Sequence, residues 1–263
     1  MGNFSNTFSS SLGKKLVMSL TGLFMCSFLV VHLVGNLQLF KHDGGLAFNT
    51  YAYFMTHFPP IKVVSYLLYT SIVLHAIYAL VLTMKNKKAR PIGYAVTNGK
   101  ANSPWTSRNM GILGTVLLVF IIIHMNTFWA KYHWGGVPYK KYVIELQNPE
   151  HVQVTDLPIS SVEPVHTDAV DLQSGSRVVI AKDLYLIVQN AFESPLYVAF
   201  YVLAMAALSF HLIHGFRSAF QTLGWDHKKY IPLIRFIGVW GFGLLIPIVF
   251  AAMPLFFLFK TFS

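Results

Sequence analysis

Five long stretches of the chain are almost continuously hydrophobic, and charged residues are largely confined to the segments between them. Each stretch has about 20 or more mostly apolar residues, and a helix of that length crosses a hydrocarbon layer about 30 Å thick. The pattern predicts an all-α integral membrane protein, one membrane domain over residues 1–263. We expect its five transmembrane helices near 16–40, 61–84, 109–130, 194–219 and 233–259.

The loops between these helices differ in charge, which predicts the orientation. With the N-terminus inside, the inner segments contain twelve Lys and Arg and one acid, Asp226, whereas the outer segments contain eight basic and nine acidic residues. Because Lys and Arg accumulate on the cytoplasmic side, we expect the N-terminus inside and the C-terminus outside. We therefore attribute the formal net charge of +10 to the basic loops that set the orientation of the protein in the membrane. The inner basic residues are Lys14, Lys15, Lys85, Lys87, Lys88, Arg90, Lys100, Arg108, Arg217, Lys228, Lys229 and Arg235.

The outer segment 131–193 is the longest connection in the chain, and it contains four prolines, two of which are Pro158 and Pro164. We interpret most of it as an ordered cap or an extended loop, because loops of this length are usually functional or disordered. Within it, the stretch Ala181–Phe192 is expected to form an amphipathic helix on the outer surface.

Composition restricts the redox chemistry that this chain can support. Hydrophobic residues make up 54% of the chain and charged residues 11%. The single cysteine, Cys26, excludes an intrachain disulfide, an iron–sulfur cluster with the usual four thiolates and C-x-x-C-H haem attachment. A metal or redox group would therefore depend mainly on histidine.

Histidines lie within four of the five predicted helices, where ionisable residues are rare and usually functional. His32 and His124 follow the inner basic residues by 17 and 16 positions, or about 25 Å along a helix. His75 and His211 precede the next inner basic residues by ten and six positions, or about 15 and 9 Å. Depth therefore predicts an outer pair, His32 with His124, and an inner pair, His75 with His211.

Two histidine pairs at two depths predict two bis-histidine haem b groups in a four-helix bundle, with the histidine-free fifth helix peripheral. Histidine on both sides of the iron fills its axial positions, so the expected task is one-electron transfer. The fourth ligand is open at this point. His214 lies three residues after His211 on the same helix face. It could also be a propionate partner or a hydrogen-bond donor to the ligand.

The residues around these histidines resemble a known family, the two-haem cytochrome b anchor subunit of succinate dehydrogenases and fumarate reductases. The resemblance covers nearly the whole chain, since five helices with a histidine on each of the first four match the family plan. The matching segments are Ser19-Leu20-Thr21-Gly22-Leu23 before Val31-His32-Leu33, then His75-Ala76-Ile77-Tyr78, Arg108-Asn109 sixteen residues before His124, and His211-Leu212-Ile213-His214-Gly215-Phe216.

The resemblance implies His211 rather than His214 as the fourth ligand, because the family ligand lies four residues before the glycine. It also implies a bacterial cytoplasmic membrane location and two partners on the inner face, a flavoprotein and an iron–sulfur subunit. Succinate chemistry would belong to the flavoprotein, and a quinone, with menaquinone expected, would exchange electrons in the membrane. Lys15, Ser19 and Arg108 become candidates for the haem-propionate or quinone region, although topological charge and snorkelling explain the two basic residues equally well.

The chain departs from the family pattern at one position, and two other functions remain as alternatives. Some fumarate-reducing members have an acid two residues before the fourth ligand, where this chain has Ser209, which favours succinate oxidation. The nearest rival is a cytochrome b subunit of a hydrogenase or formate dehydrogenase, which commonly places two ligands on one helix. A haem-free transporter with a histidine proton relay is the other, but it would be expected to show broken helices or paired carboxylates.

Overall fold

The computed structural model describes residues 10–89, 103–157 and 166–262 of the chain. Five helices in it are long and apolar enough to cross a membrane: Ser11–Phe40, Pro59–Lys88, Met110–Trp134, Pro195–Thr222 and Ile231–Phe262. We call them the first to fifth spans. They confirm the predicted all-α, multi-pass membrane protein. The loop residues Arg90, Lys100, Pro158 and Pro164, used in the sequence interpretation, lie outside the described residues.

The spans begin and end within five residues of the predicted ranges, and the differences lie at polar ends. The second span continues through Lys85, Lys87 and Lys88, because cations in the last turn interact favourably with the helix dipole. Two spans contain wide, π-helical turns. These are Met125–Ala130 in the third span, directly after His124, and Ile237–Leu245 in the fifth.

The chain divides into two compact units, and every span contributes residues to both. The first unit comprises the described residues within Met1–Val31, Val63–Phe120 and Phe200–Ala252. The second comprises those within His32–Lys62, Ile121–Ala199 and Met253–Ser263. His75 and His211 therefore belong to the first unit, and His32 and His124 belong to the second.

In the first unit, the fifth span packs closely on the fourth. A Cβ on Gly243 would lie 2.4 Å from Cγ1 of Ile213, so only glycine fits at this contact. The Ser209 hydroxyl donates a hydrogen bond to the Gly243 carbonyl in the wide turns of the fifth span. Phe216 and Phe242 stack with ring centroids 4.8 Å apart. Small residues let the two backbones approach, as is common between membrane helices.

The second unit contains a four-stranded antiparallel sheet within segment 131–193. The strands are β1 (Tyr139–Glu145), β2 (Val152–Leu157), β3 (Thr167–Asp171) and β4 (Ser176–Lys182), in the spatial order β2-β1-β4-β3. Buried and partly exposed residues alternate in β1 from Tyr142 and in β4 from Val179, and Tyr142, Ile144 and Val179 form the core of the sheet. The described part of this segment therefore contains an ordered sheet, which agrees with the first of the two predicted alternatives, an ordered cap or an extended loop.

Two helices outside the spans complete the second unit. The surface helix Leu184–Phe192 falls within the predicted amphipathic stretch but begins later, because Ala181 and Lys182 pair in β4. The Asp183 side chain caps it by accepting a hydrogen bond from the Leu186 amide at 3.1 Å. The interspan helix Leu46–His57, between the first two spans, has no counterpart in the sequence prediction.

Candidate functional site

His32 and His124 face each other in the second unit. Their ring centroids are 5.8 Å apart, and the ring planes are nearly perpendicular at 83°. The Asn36 side-chain nitrogen donates to the His32 carbonyl at 2.7 Å and lies 3.4 Å from Nδ1 of the same histidine. Phe128 packs edge-on against His124, with ring centroids 5.3 Å apart. Each imidazole is therefore bordered by a residue one turn further along its own helix.

His75 and His211 face each other in the first unit, with ring centroids 6.4 Å apart and an interplanar angle of 59°. A glycine borders each ring. A Cβ on Gly22 of the first span would lie 3.4 Å from Cε1 of His75, and one on Gly114 of the third span would lie 3.8 Å from Cε1 of His211. Side chains larger than alanine at these two positions would press on the imidazoles.

The polar surroundings of the second pair differ between its two rings. Nδ1 of His75 lies 3.1 Å from the Thr21 hydroxyl oxygen. Nδ1 of His211 is buried and has no hydrogen-bond partner among the described residues. Buried polar atoms in proteins nearly always have a partner, and an exception calls for an explanation. An imidazole that binds a further group would supply one.

The ring separations fit a metal atom between each pair. Two imidazoles on opposite sides of one metal place their centroids about 6 Å apart, because each metal–nitrogen bond is about 2 Å long and each centroid lies about 1 Å behind its nitrogen. Packed aromatic rings without a metal show the same range of separations. The glycines at positions 22 and 114 keep larger side chains away from the second pair of rings, which is compatible with a group bound there.

The first three spans are less buried within this chain than the fourth and fifth spans are. In their most apolar 18-residue windows only 11%, 6% and 6% of residues are buried, against 28% and 33% in the fourth and fifth spans. A helix that packs one face against protein presents a stripe at least about 100° wide to its neighbours, which would bury over a quarter of its residues. Fewer residues of these three spans are therefore fully covered by this chain than would be expected for helices that pack one whole face on protein.

The structure separates the two candidates for the fourth ligand. The ring opposite His75 is that of His211, while His214 lies three residues further along the fourth span and is half-buried. Because residues three apart share a face only approximately, one of the two histidines can face the second span while the other points to a different neighbour. His214 does not enter the pair.

The other candidate residues lie in the first unit and differ in exposure. Ser19 is buried, and its hydroxyl donates to the Lys15 carbonyl at 2.9 Å, so its proton is used within the first span. The Lys15 side chain is exposed. Arg108 ends the short helix Trp105–Arg108 before the third span, and its guanidinium donates to the Ser103 carbonyl. The side chains of Lys15 and Arg108 are therefore accessible, which they must be in order to bind an anionic group.

Two polar contacts of the histidines, from Thr21 and Asn36, were missed by the sequence interpretation. Asn36 lies four residues after His32, so helical spacing could have indicated its contact. The contact of Thr21 joins two spans and residues 54 positions apart, so no spacing in one sequence reveals it.

No cluster of three or more His, Cys, Asp or Glu side chains converges on a metal-sized site among the residues described. A metal ion held by the protein alone usually has three or four such ligands, so pairs of histidines suit an ion whose other ligands come from a cofactor. Comparisons with family models, curated proteins and solved structures found no match to this chain.

Proposed function

We propose that this chain is a cytochrome b with two haems, His32 and His124 holding one iron and His75 and His211 holding the other. The observation that carries the proposal is the pairing of the four intramembrane histidines, with ring centroids 5.8 and 6.4 Å apart. A bound haem would supply a one-electron redox centre and the further iron ligands that the two histidine pairs lack.

The protein's contribution is to bind, orient and shield each centre. The paired imidazoles would hold each haem iron, and a haem held by two histidines would supply one-electron transfer rather than ligand binding. Gly22 and Gly114 keep bulky side chains away from His75 and His211. Apolar side chains of the surrounding spans keep water out, and a low dielectric limits the rearrangement that accompanies a change of charge.

We further propose that this cytochrome anchors a succinate:quinone oxidoreductase in a bacterial cytoplasmic membrane. In this proposal the basic loops face the cytoplasm, with the N-terminus inside and the C-terminus outside. The inner end of the molecule includes exposed Lys85, Lys87 and Arg217, a surface suited to an iron–sulfur subunit that carries the flavoprotein. Electrons would pass from that subunit through both haems to menaquinone.

The environment of Ser209 supports succinate oxidation as the physiological direction. This residue stands where some fumarate-reducing relatives in the resembled family have an acid. Its hydroxyl donates to the Gly243 carbonyl, so it joins two helices and has no ionisable proton to offer. A proton path of the carboxylate type is therefore unsupported at this position, and we assign no transmembrane proton movement to it.

The pairing can be tested by removing one histidine at a time from the purified protein. His32→Ala or His124→Ala should abolish one and the same haem, and His75→Ala or His211→Ala should abolish the other. His42→Ala changes an exposed loop histidine and serves as the control that keeps both. If His32→Ala and His75→Ala remove the same haem, the pairing is wrong.

The anchor role needs a separate test, because another respiratory complex could use the same cytochrome. Affinity-tagged chain is purified from its native membrane, and succinate-dependent reduction of a menaquinone analogue is measured. Co-purification of a flavoprotein and an iron–sulfur protein with this activity is the expected result. Co-purification of a hydrogenase or formate dehydrogenase subunit instead would reassign the complex while leaving the haem pairing intact.

A further inference from the structure

A threonine of the first span touches the imidazole of His75. The Thr21 oxygen lies 3.1 Å from Nδ1 of His75, and the residue is buried. A Cβ on Gly22 would lie 3.4 Å from Cε1 and 3.9 Å from Nδ1. The Nδ1 edge of this imidazole therefore rests on one turn of the first span.

The direction of the hydrogen bond follows from the single proton of the threonine hydroxyl. Thr21 Oγ1 lies 2.7 Å from the Val17 carbonyl and 3.2 Å from that of Met18. A carbonyl can only accept, so the hydroxyl proton is committed to the helix backbone. The lone pairs of Oγ1 remain available, and the oxygen can accept a proton from Nδ1 of His75.

This arrangement selects one tautomer of His75. With the proton on Nδ1, the other ring nitrogen, Nε2, has a free lone pair and can bind a metal. Histidine ligands of metals usually donate their second N–H to an oxygen in this way, which fixes the ring and raises its basicity as a ligand.

We infer that Thr21 is a positioning residue that holds His75 in the Nδ1–H tautomer and tunes the haem bound between His75 and His211. The inference rests on the proposed function, since it presumes that this pair holds a haem iron. A more basic axial ligand stabilises ferric over ferrous iron, so the bond to Thr21 lowers the midpoint potential of that haem. Its removal raises the potential.

The effect should be confined to one haem, because the other pair has a different polar environment. One polar neighbour of His32 is the Asn36 side-chain nitrogen, which lies 3.4 Å from Nδ1 and is long for a hydrogen bond. Thr21 and His75 both belong to the first unit, whereas His32 and His124 belong to the second. The haem of the His32–His124 pair is therefore an internal reference in every measurement.

The test compares Thr21→Val, which keeps the shape but removes the oxygen, with Thr21→Ser, which keeps the oxygen. Thr70→Val is the matched control, because the Thr70 hydroxyl also donates to the carbonyl four residues earlier but is exposed on the second span. Potentiometric titration and low-temperature EPR are recorded on each purified variant. Haem retention is followed by transfer to an excess of a haem-free acceptor protein.

Thr21→Val should shift the potential of one haem to more positive values, change its low-spin EPR signal and weaken its retention by about 10-fold or more. In Thr21→Val the other haem should keep its potential and its EPR signal. In Thr21→Ser and Thr70→Val both haems should keep the potentials and EPR signals of the unmodified protein. Loss of this haem alone in Thr21→Val, restored in Thr21→Ser, also supports the inference.

Three results would overturn the inference. These are unchanged spectra and potential in Thr21→Val, an equal shift in Thr21→Ser, and an equal shift in Thr70→Val. Failure of the proposed function looks different, because the unmodified protein would then contain no haem for these variants to alter.

Discussion

Replacement of Asn49 by alanine should loosen the sheet of the second unit. Asn49 lies on the interspan helix and is fully buried. Its side-chain nitrogen donates to the Tyr142 hydroxyl and to the Asp183 carboxylate, both at 2.9 Å, and its oxygen accepts from the Tyr185 amide at 2.9 Å. One side chain thus joins the interspan helix to β1 and to the start of the surface helix.

The expected cost of the substitution follows from these three bonds. A neutral hydrogen bond contributes about 1 kcal/mol net, and one to a charged group about 1.5–3 kcal/mol. Asn49→Ala would remove both kinds and leave buried groups without partners, so we expect a loss of about 3–5 kcal/mol. Asp183 keeps its ion pair with Lys140 at 2.8 Å. Burial raises the pKa of the Tyr142 hydroxyl, so it stays neutral, and it keeps the hydrogen bond that it donates to the Gly44 carbonyl at 3.3 Å.

Amide hydrogen exchange measures this loss locally, because partial opening of one unit need not unfold the spans. A loss of 3 kcal/mol corresponds to roughly 100-fold faster exchange in β1, β4 and the surface helix. Asn148→Ala, at an exposed turn between β1 and β2, is the matched control and should leave the rates unchanged. Equal exchange in both variants would refute the structural role of Asn49.

Three further outcomes are expected. The Arg177 guanidinium holds the pKa of Asp168 below its ordinary value of 3.8, so their pairing stabilises the sheet above that pH and is lost as the pH falls through the lowered pKa. Asp168→Asn should therefore cost less than about 1 kcal/mol at neutral pH for this exposed pair and nothing in strong acid, measured by exchange in β3 and β4. Gly243→Val should separate the fourth and fifth spans and lower the thermal stability by about 1–3 kcal/mol, and an unchanged melting temperature would contradict that packing. His211→Ala should remove one haem while His214→Ala keeps both, and haem spectra that show the reverse would make His214 the ligand.

Hydrophobic length and charge were sufficient to predict the five spans, because every segment of this kind that crosses a bilayer must be an apolar helix with its backbone hydrogen bonds satisfied internally. The predicted histidine pairs also lie opposite each other in the structure. Regular helical rise along antiparallel spans was enough to compare the depth of one histidine with another. No comparable rule chose between His211 and His214, because their three-residue spacing leaves the orientation to interhelical packing.

The sheet and the interspan helix were harder to predict, for physical reasons that differ. Strand β2 is mostly exposed, so it lacks the regular apolar alternation that reveals a half-buried strand. The residue that caps the start of the interspan helix is Gly45, which has a φ of 92° and lies against Tyr185. Asp43 then accepts hydrogen bonds from the Gly45 and Ala47 amides. The stability of the interspan helix depends on hydrogen bonds between Asn49 and partners more than 90 residues away. The local sequence pattern of the helix does not reveal these partners.

The central claim is that the four paired histidines hold two haem b groups, and a reduced-minus-oxidised absorbance spectrum of the purified chain tests it most directly. The spectrum is combined with a pyridine haemochrome measurement of haem per polypeptide. We expect b-type α-band absorbance and two haems per chain, with one lost in His124→Ala and the other in His75→Ala. A purified, folded chain without b-type absorbance would contradict the account.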